Sequence, residues 1–519
     1  MTTSSHAPVM TVAEVLNFGL AACPDKQAIV ARGRTYSYLE LDLAARKMAA
    51  ALGEHGLKAG DRIAVCLPNE ADIVALFHAA MRLGAIWVGI NTALAAQEKM
   101  MVLADCDAVL FVSTDAIVRE LGPERETAPV RARMLVVDPG PAGHSWRQSL
   151  AAAPDEFDPV RTDPYTAAGI AYTSGSSGRP KGVVHSQHNM LLPGRVLCHS
   201  RGYGPELVKG DFLPLTILNL IILGPLLTAQ ACGTFVAIDR RDAVGITQWV
   251  EKEAIAVLNG VPPVLYDMVG NAEITPGRLA SLQDIWSGGA DCPDNLKSAF
   301  ERKFGLRIHT TYGLTEAPTV VAIEQCGSQH IPGSSGTVLP HLSVTVVNEH
   351  GDAVAPGETG EFCVGSADTG TWAGAYRPML GYWNLPAASG DALRSGILHT
   401  GDLGYLDQEG QMHVRDRRTS MINRGGANVY PAEVETIILR LPGVSAVAVV
   451  GIADARLGQR VVAVVEENGA QAVTAEQVKE HCGARLARYK VPEQVRVVRS
   501  LPRNAMGKIR RPELPTYFE

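Results

Sequence analysis

Nothing in this sequence supports a disulfide framework. Its nine cysteines, Cys23, Cys66, Cys106, Cys198, Cys232, Cys292, Cys326, Cys363 and Cys482, stand singly, and no Cys-x-x-Cys pair occurs. An odd number of scattered thiols fits free cysteines in a reducing compartment and speaks against a thiolate metal site. A basic excess is missing too: 47 Lys and Arg face 54 Asp and Glu, for a net charge of -7. A general nucleic-acid binder needs a basic face, so no nucleic-acid partner is expected. Met1 to Pro8 has neither a basic n-region nor an apolar h-region, so no secretory signal is expected there. Phe212 to Ile238 runs without a charge and is long enough to span a bilayer, but Pro214, Asn219, Gly224 and Pro225 interrupt it. It reads as a strand, a bend and a buried helix. A cytoplasmic protein without a membrane span is the expectation. Internal repeats and low-complexity segments are lacking as well.

What is present is an ordinary enzyme-like composition, 46% apolar and 19% charged over 519 residues. That length exceeds what one core usually serves, so two or more domains are expected. Helical spacing over Tyr38 to Leu52 and Ala71 to Leu83 alternates with short apolar strands at Asp61 to Pro68, Ala108 to Val112 and Met134 to Val137. This alternation predicts α/β layers with largely parallel sheets. From Gly333 to Gly410, Gly- and Pro-punctuated short strands predict hairpins and a small barrel-like β subdomain. Beyond Arg418 the pattern helix, strand, strand, helix predicts a small α+β domain with its own core.

The strongest local signal is Ala171-Tyr-Thr-Ser-Gly-Ser-Ser-Gly-Arg-Pro-Lys-Gly-Val-Val. Glycines let backbone N–H groups close around phosphate oxygens, and small hydroxyls add donors without bulk. A Walker A loop would end in Gly-Lys-Ser/Thr; here Pro180 precedes Lys181 and Gly182 follows it. A second stretch, Thr311-Tyr-Gly-Leu-Thr-Glu, combines an aromatic face, a hydroxyl and a carboxylate suited to a hard cation. Ser287-Gly-Gly-Ala, His399-Thr-Gly-Asp, Arg417-Arg-Thr-Ser and Pro502-Arg-Asn-Ala-Met-Gly-Lys complete the set.

Together these motifs, in order from Tyr36-Ser-Tyr-x-Glu to Lys508, resemble the adenylate-forming superfamily of acyl-CoA synthetases, luciferases and peptide-synthetase adenylation domains. The resemblance implies an N-terminal adenylation domain over residues 1–416, a hinge at 417–420 and a mobile C-terminal domain over 421–519. It implies ATP binding by Thr173, Ser174, Gly175, Ser176, Ser177, Gly178 and Lys181, by Gly288, Gly289 and Ala290, and by Thr311, Tyr312 and Gly313. By the same resemblance Thr315 contacts the α-phosphate and Glu316 holds Mg²⁺. Asp402 and Arg417 bind ribose, Gly425 and Gly426 border a coenzyme A tunnel, and Lys508 is the catalytic lysine. The chain departs from the family at the hinge, where Thr419 stands at the pivot in place of Asp or Lys, Ser420 replaces an Asp and Ala427 a Glu.

The implied activity is ATP-dependent ligation of a carboxylic acid to coenzyme A through an acyl-adenylate. Thr216, Ile217, Leu218 and Asn219, with Gly313 and Ala317, occupy the implied acyl pocket. Apolar residues there cannot satisfy a buried substrate hydroxyl, which favours an aromatic, alicyclic or medium-chain acid without polar ring substituents. The alternatives are a free-standing enzyme that loads an acid onto a carrier protein, and a non-catalytic acyl or nucleotide sensor. No oligomer is specified, although a homodimer is the commonest closed assembly.

Overall fold

The computed structural model describes residues 10–122, 131–137, 144–173, 180–288, 292–417, 420–424, 427–454, 458–469, 471–486, 488–504 and 507–519. Two large sheets organise the first four hundred or so residues. One has seven strands in the order Gly381–Tyr382, Lys181–Ser186, Ala167–Thr173, Ile86–Gly89, Arg62–Cys66, Leu110–Ser113, Arg133–Val136. It is parallel from Ala167–Thr173 outward to Arg133–Val136 and antiparallel at its other end. The other has nine strands, with a parallel centre formed by Ile308–Leu314, Asp284–Gly288, Val257–Gly260, Val208–Asp211, Thr234–Ala237 and Gln27–Ala31. Strands buried on both faces carry near-continuous apolar runs, as Arg62–Cys66 and Leu110–Ser113 do.

The helices lie where their apolar stripes dictate. Tyr38–Glu54 opens with a capping box: Ser37 Oγ accepts from the Glu40 N–H at 3.2 Å, and Glu40 Oε2 accepts from the Ser37 N–H at 2.8 Å. The two tyrosines of that motif are staples. Tyr36 donates to Asp72 Oδ1 at 2.8 Å, and Tyr38 donates to the Gly233 carbonyl at 2.7 Å. Ala71–Arg82 is buried around its whole circumference.

The charge-free stretch begins just after a strand rather than with one, since Val208–Asp211 precedes it and Thr234–Ala237 ends it. Between them Leu218–Ile221 runs through a π-turn, Ile222–Leu226, into Leu227–Gln230. Pro225 lies within the π-turn, where its missing N–H interrupts the α-helical ladder. A methyl group on Gly169 would lie 2.8 Å from Leu218 Cδ2, and one on Gly224 would lie 2.6 Å from the Phe235 ring, so this helical run packs between the two sheets. Among the described residues no helix is long and apolar enough to cross a membrane.

The small β subdomain is a five-stranded antiparallel sheet of Leu342–Val347, Gly360–Ser366, Ile397–Leu406, Leu393–Arg394 and Met412–Arg417. The C-terminal part has its own sheet, in which Val444–Asp454 and Gly458–Glu467 form a long hairpin. Pro431–Ile438 and Ala475–Gly483 pack on it through Val434, Ile438, Val478 and Cys482.

A buried polar network crosses the nine-stranded sheet. Lys209 donates to Asn259 Oδ1 at 3.1 Å, Asn259 donates to Asp211, and the Lys209 ammonium lies 4.4 Å from the centre of the Trp286 ring. Burial pushes the Asp211 carboxyl up and the Lys209 ammonium down, and each opposes the other's shift. Next to them Asp284 accepts from Arg201 at 3.0 Å, Tyr203 at 2.9 Å, Trp286 at 2.8 Å and His309 at 2.6 Å. Asp284, His309 and Cys326 are grouped closely enough to ligate a metal, but Arg201 Nη1 already bonds both Asp284 and the Cys326 sulfur.

Burial alone would raise the Asp284 carboxyl; the His309 hydrogen bond and the Arg201 charge hold it down to about 2. Its contribution to stability is therefore complete at neutral pH and is lost as the pH falls from about 4 through about 2. Asp284→Asn leaves the buried Arg201 guanidinium uncompensated, an expected loss of about 3–5 kcal/mol at pH 7 by urea unfolding. That difference should shrink in the acid window.

Candidate active site

The candidate site is built around the strand Lys181–Ser186. Its pairing with Ala167–Thr173 brings Thr173 opposite Lys181, so both ends of the Gly/Ser loop emerge from one ladder. Gly182 is required by close packing: a Cβ there would lie 2.7 Å from Ile170 Cγ2 and 3.2 Å from Trp383 Cβ. Three residues on, His185 is fully buried, and its ring lies against the Thr315 backbone without a well-formed hydrogen bond at either nitrogen. Burial pulls its imidazole down to about 4, which leaves it neutral at pH 7.

On the other side of Lys181–Ser186 lies Gly381–Tyr382, with Tyr382 opposite Val183. The Tyr382 hydroxyl donates to Glu316 Oε1 at 2.9 Å, and the Lys181 ammonium sits 5.0 Å from the centre of the same ring. Met379 N–H donates to the Glu316 carbonyl at 3.2 Å.

The strand Ile308–Leu314 supplies the rest. Gly288 is opposite Thr311, so two sequence-distant motifs share one rung. Tyr312 is buried, donates its hydroxyl to Asp402 Oδ2 at 2.6 Å, and lies 6.0 Å from Phe362 between ring centres. Asp402 in turn stands opposite Arg417 in the antiparallel ladder of the β subdomain. Glu361 Oε1 accepts from the Gly401 N–H at 2.8 Å and fixes the turn that carries Asp402.

After Tyr312 the ladder with Thr319–Ile323 shifts register, and Gly313 sits at the bulge. A Cβ on Gly313 would lie 1.8 Å from the Thr319 carbonyl oxygen. Thr319 itself has φ near 73°, an uncommon left-handed conformation for a β-branched residue.

The structure thus brings together Thr173, Lys181, Thr315 and Glu316 through one strand and its neighbours, and Tyr312 with Asp402 and Arg417 through a second group. The implied acyl residues divide. Ala317 is buried in the cluster of Tyr312 and Leu314, whereas Leu218 belongs to a different core cluster, and the Thr216 carbonyl lies against Gly89. The Thr216 hydroxyl and the Asn219 amide oxygen are buried without a hydrogen-bond partner, so the segment is less purely apolar than Ile217 and Leu218 imply. Lys508 is exposed in the C-terminal part, where its N–H donates to Asn504 Oδ1 at 3.0 Å and its carbonyl accepts from the Asn504 N–H at 2.8 Å. Ser174 to Gly178, Gly289, Ala290, Thr419, Gly425 and Gly426 lie outside the described residues, as does the side chain of Arg417.

A family model described as "AMP-binding enzyme" matches residues 19–383, and one described as "AMP-binding enzyme C-terminal domain" matches residues 433–508. The chain belongs to the AMP-binding enzyme family. This is the adenylate-forming superfamily that the motifs resemble. Over 506 residues it is 33% identical to an indoleacetate–CoA ligase of Aromatoleum aromaticum, covering 95% of each chain. It is 31% identical over 488 residues, 91% of each chain, to a long-chain-fatty-acid–CoA ligase of Mycobacterium tuberculosis. Among solved structures, ATP-bound MatB from Rhodopseudomonas palustris superposes with a TM-score of 0.88 at 27% identity, over 98% of this chain and 99% of that one. Family membership makes the chain an ATP-using enzyme.

Mg²⁺ is usually held by one or two carboxylates together with substrate phosphates. Glu316, with one oxygen fixed by Tyr382 and the Thr315 hydroxyl adjacent in sequence, offers hard oxygen donors that fit such an ion. Sequence reasoning missed Tyr382, His185, Glu361 and Thr319. For Tyr382 the available signal was an aromatic directly after a glycine in the same β-rich stretch as His399-Thr-Gly-Asp.

Gly313→Ala should force the bulge apart, costing about 1–3 kcal/mol of stability. Its ATP affinity should fall more than that of a substitution of similar cost far from the site. Thermal unfolding and calorimetric titration with ATP measure the two effects separately.

Proposed function

We propose that this enzyme joins a carboxylic acid to coenzyme A in two steps, with an acyl-adenylate between them. The observation that carries the reading is the Tyr312–Asp402 hydrogen bond of 2.6 Å, which sets an aromatic face and a buried carboxylate side by side, as a nucleoside requires. The named activities of the relatives above, both CoA ligases over nearly the whole chain, support coenzyme A as the thiol.

In the first step a carboxylate oxygen attacks the α-phosphorus, and the bond to the bridging oxygen of pyrophosphate breaks. A carboxylate alone is a poor acyl donor; the mixed anhydride gives it AMP as a leaving group. Catalysis is then mainly positioning and electrostatic stabilisation. Tyr312 stacks on adenine, Asp402 and Arg417 hold the ribose, and Thr315 contacts the α-phosphate. Lys181 and the loop from Thr173 to Gly178 grip the β and γ end. Lys508 bridges the acid and the α-phosphate. When bound on Glu316, Mg²⁺ neutralises phosphate charge.

In the second step the thiol sulfur attacks the acyl carbonyl, loses its proton and expels AMP. The chain is divided for this purpose into residues 1–416 and 421–519 around a hinge at 417–420, with Gly425 and Gly426 beside the incoming thiol. The C-terminal domain rotates between the steps, a recognised kind of hinge switch. The acid is hydrophobic and of aromatic, alicyclic or medium-chain type.

Lys508→Ala should lower the first step by about 10²–10³-fold, the scale of one transition-state electrostatic contact. Acid-dependent pyrophosphate release reads this, while thioester formation from isolated acyl-adenylate should fall much less. A panel of apolar acids with and without coenzyme A tests the whole reading. Adenylate that accumulates and ignores coenzyme A would redirect the acyl group to a carrier protein.

A further inference from the structure

Tyr382 touches both halves of the phosphate site, yet it belongs to none of the motifs that define it. Its hydroxyl donates to Glu316 Oε1 at 2.9 Å, and its ring lies under the Lys181 ammonium at 5.0 Å. The residue is held firmly from its own backbone. Its N–H donates to Ser389 Oγ at 2.8 Å, it pairs with Val183 in the sheet, and the next N–H, of Trp383, donates to the Gly182 carbonyl at 2.7 Å. Trp383 is anchored in turn, with Nε1 donating to the Asp105 carbonyl at 3.1 Å. A phenol mounted this rigidly fixes the carboxylate it bonds to, because the ring cannot follow a swinging Glu316.

We propose that Tyr382 is a positioning residue that presents the Glu316 carboxylate to the divalent cation of a cation–nucleoside triphosphate complex, and that its ring parks Lys181 beside the same complex. The proposal rests on the reading of Glu316 and Lys181 given above. With Oε1 occupied by the phenol, Oε2 is the oxygen that meets the cation, so the carboxylate binds through one oxygen rather than two. Single-oxygen ligation suits a small octahedral ion that keeps its remaining positions for phosphate oxygens and water. Lys181, held over the ring face by cation–π attraction, is already within the site when the phosphates arrive.

The test separates the hydroxyl from the ring. ATP is titrated calorimetrically into the full chain over a series of Mg²⁺ concentrations and in EDTA, for the wild type, Tyr382→Phe, Tyr382→Leu, Glu316→Gln and the Tyr382→Phe/Glu316→Gln pair. Tyr382→Phe should raise the Mg²⁺ concentration needed for half-maximal ATP affinity about tenfold, as for loss of a hydrogen bond to a charged group, and leave affinity in EDTA within about twofold. Tyr382→Leu should weaken binding in EDTA as well, because the ring under Lys181 is gone. In the double variant the effects should not add, since both act through one carboxylate.

Unchanged Mg²⁺ dependence in Tyr382→Phe would overturn the proposal. So would an equal loss with and without Mg²⁺, which marks a merely structural bond; thermal unfolding of each variant checks that the fold is kept. Wild-type chain that binds no ATP at all would overturn the nucleotide reading, and this proposal with it.

Discussion

The antiparallel pairing of Lys181–Ser186 with two neighbours at once is the constraint on which the site depends. One neighbour leads into the Gly/Ser loop and the other carries Tyr382. Both are fixed to a single strand by backbone hydrogen bonds, so the groups proposed to grip phosphate and the phenol that bonds Glu316 are held together. His185 extends the same strand to the backbone of Thr315. A rigid strand is a better mount for such a constellation than a loop, because its rotamers and register are over-determined by packing.

The residues proposed to bind the nucleotide stood out in the sequence because such chemistry requires particular residues at particular spacings. Pro-Lys-Gly after a Gly/Ser loop, Thr-Tyr-Gly-x-Thr-Glu and His-Thr-Gly-Asp stand out as motifs, and the sheet brings Gly288 against Thr311 and Asp402 against Arg417. The layered α/β architecture was legible too, since both-face burial writes itself as short apolar strands between amphipathic helices. Strand ends were less so. Val208–Asp211 contains a lysine and an aspartate, and no hydrophobicity pattern marks such a segment as a central strand.

The acid-binding half was poorly legible for a physical reason. Apolar contacts have no direction, so Ile217 and Leu218 serve equally well in a pocket wall or in the core, and Leu218 packs in the core. Tyr382 and Glu361 escaped detection differently. Each acts on another side chain or turn rather than on a phosphate, and a tyrosine or glutamate in a β-rich stretch gives no sign of what it will face. Thr319 was invisible because its significance lies in its backbone angle, which composition does not encode.

The charged strand at the middle of the nine-stranded sheet bears on how the chain reaches this structure. Lys209 and Asp211 share a face with Asn259 and Trp286, whereas a Cβ on Gly210 between them would lie 2.6 Å from Ile255 Cδ1 and 3.2 Å from Ile238 Cδ1 on the opposite face. Sliding this strand by one residue would turn the ammonium and the carboxylate into that aliphatic wall, away from every group that solvates them. A strand made only of valine and isoleucine would tolerate such a slip far better. Val208–Asp211 therefore works like the notched blade of a key, accepted by its neighbours in one alignment and rejected in the next.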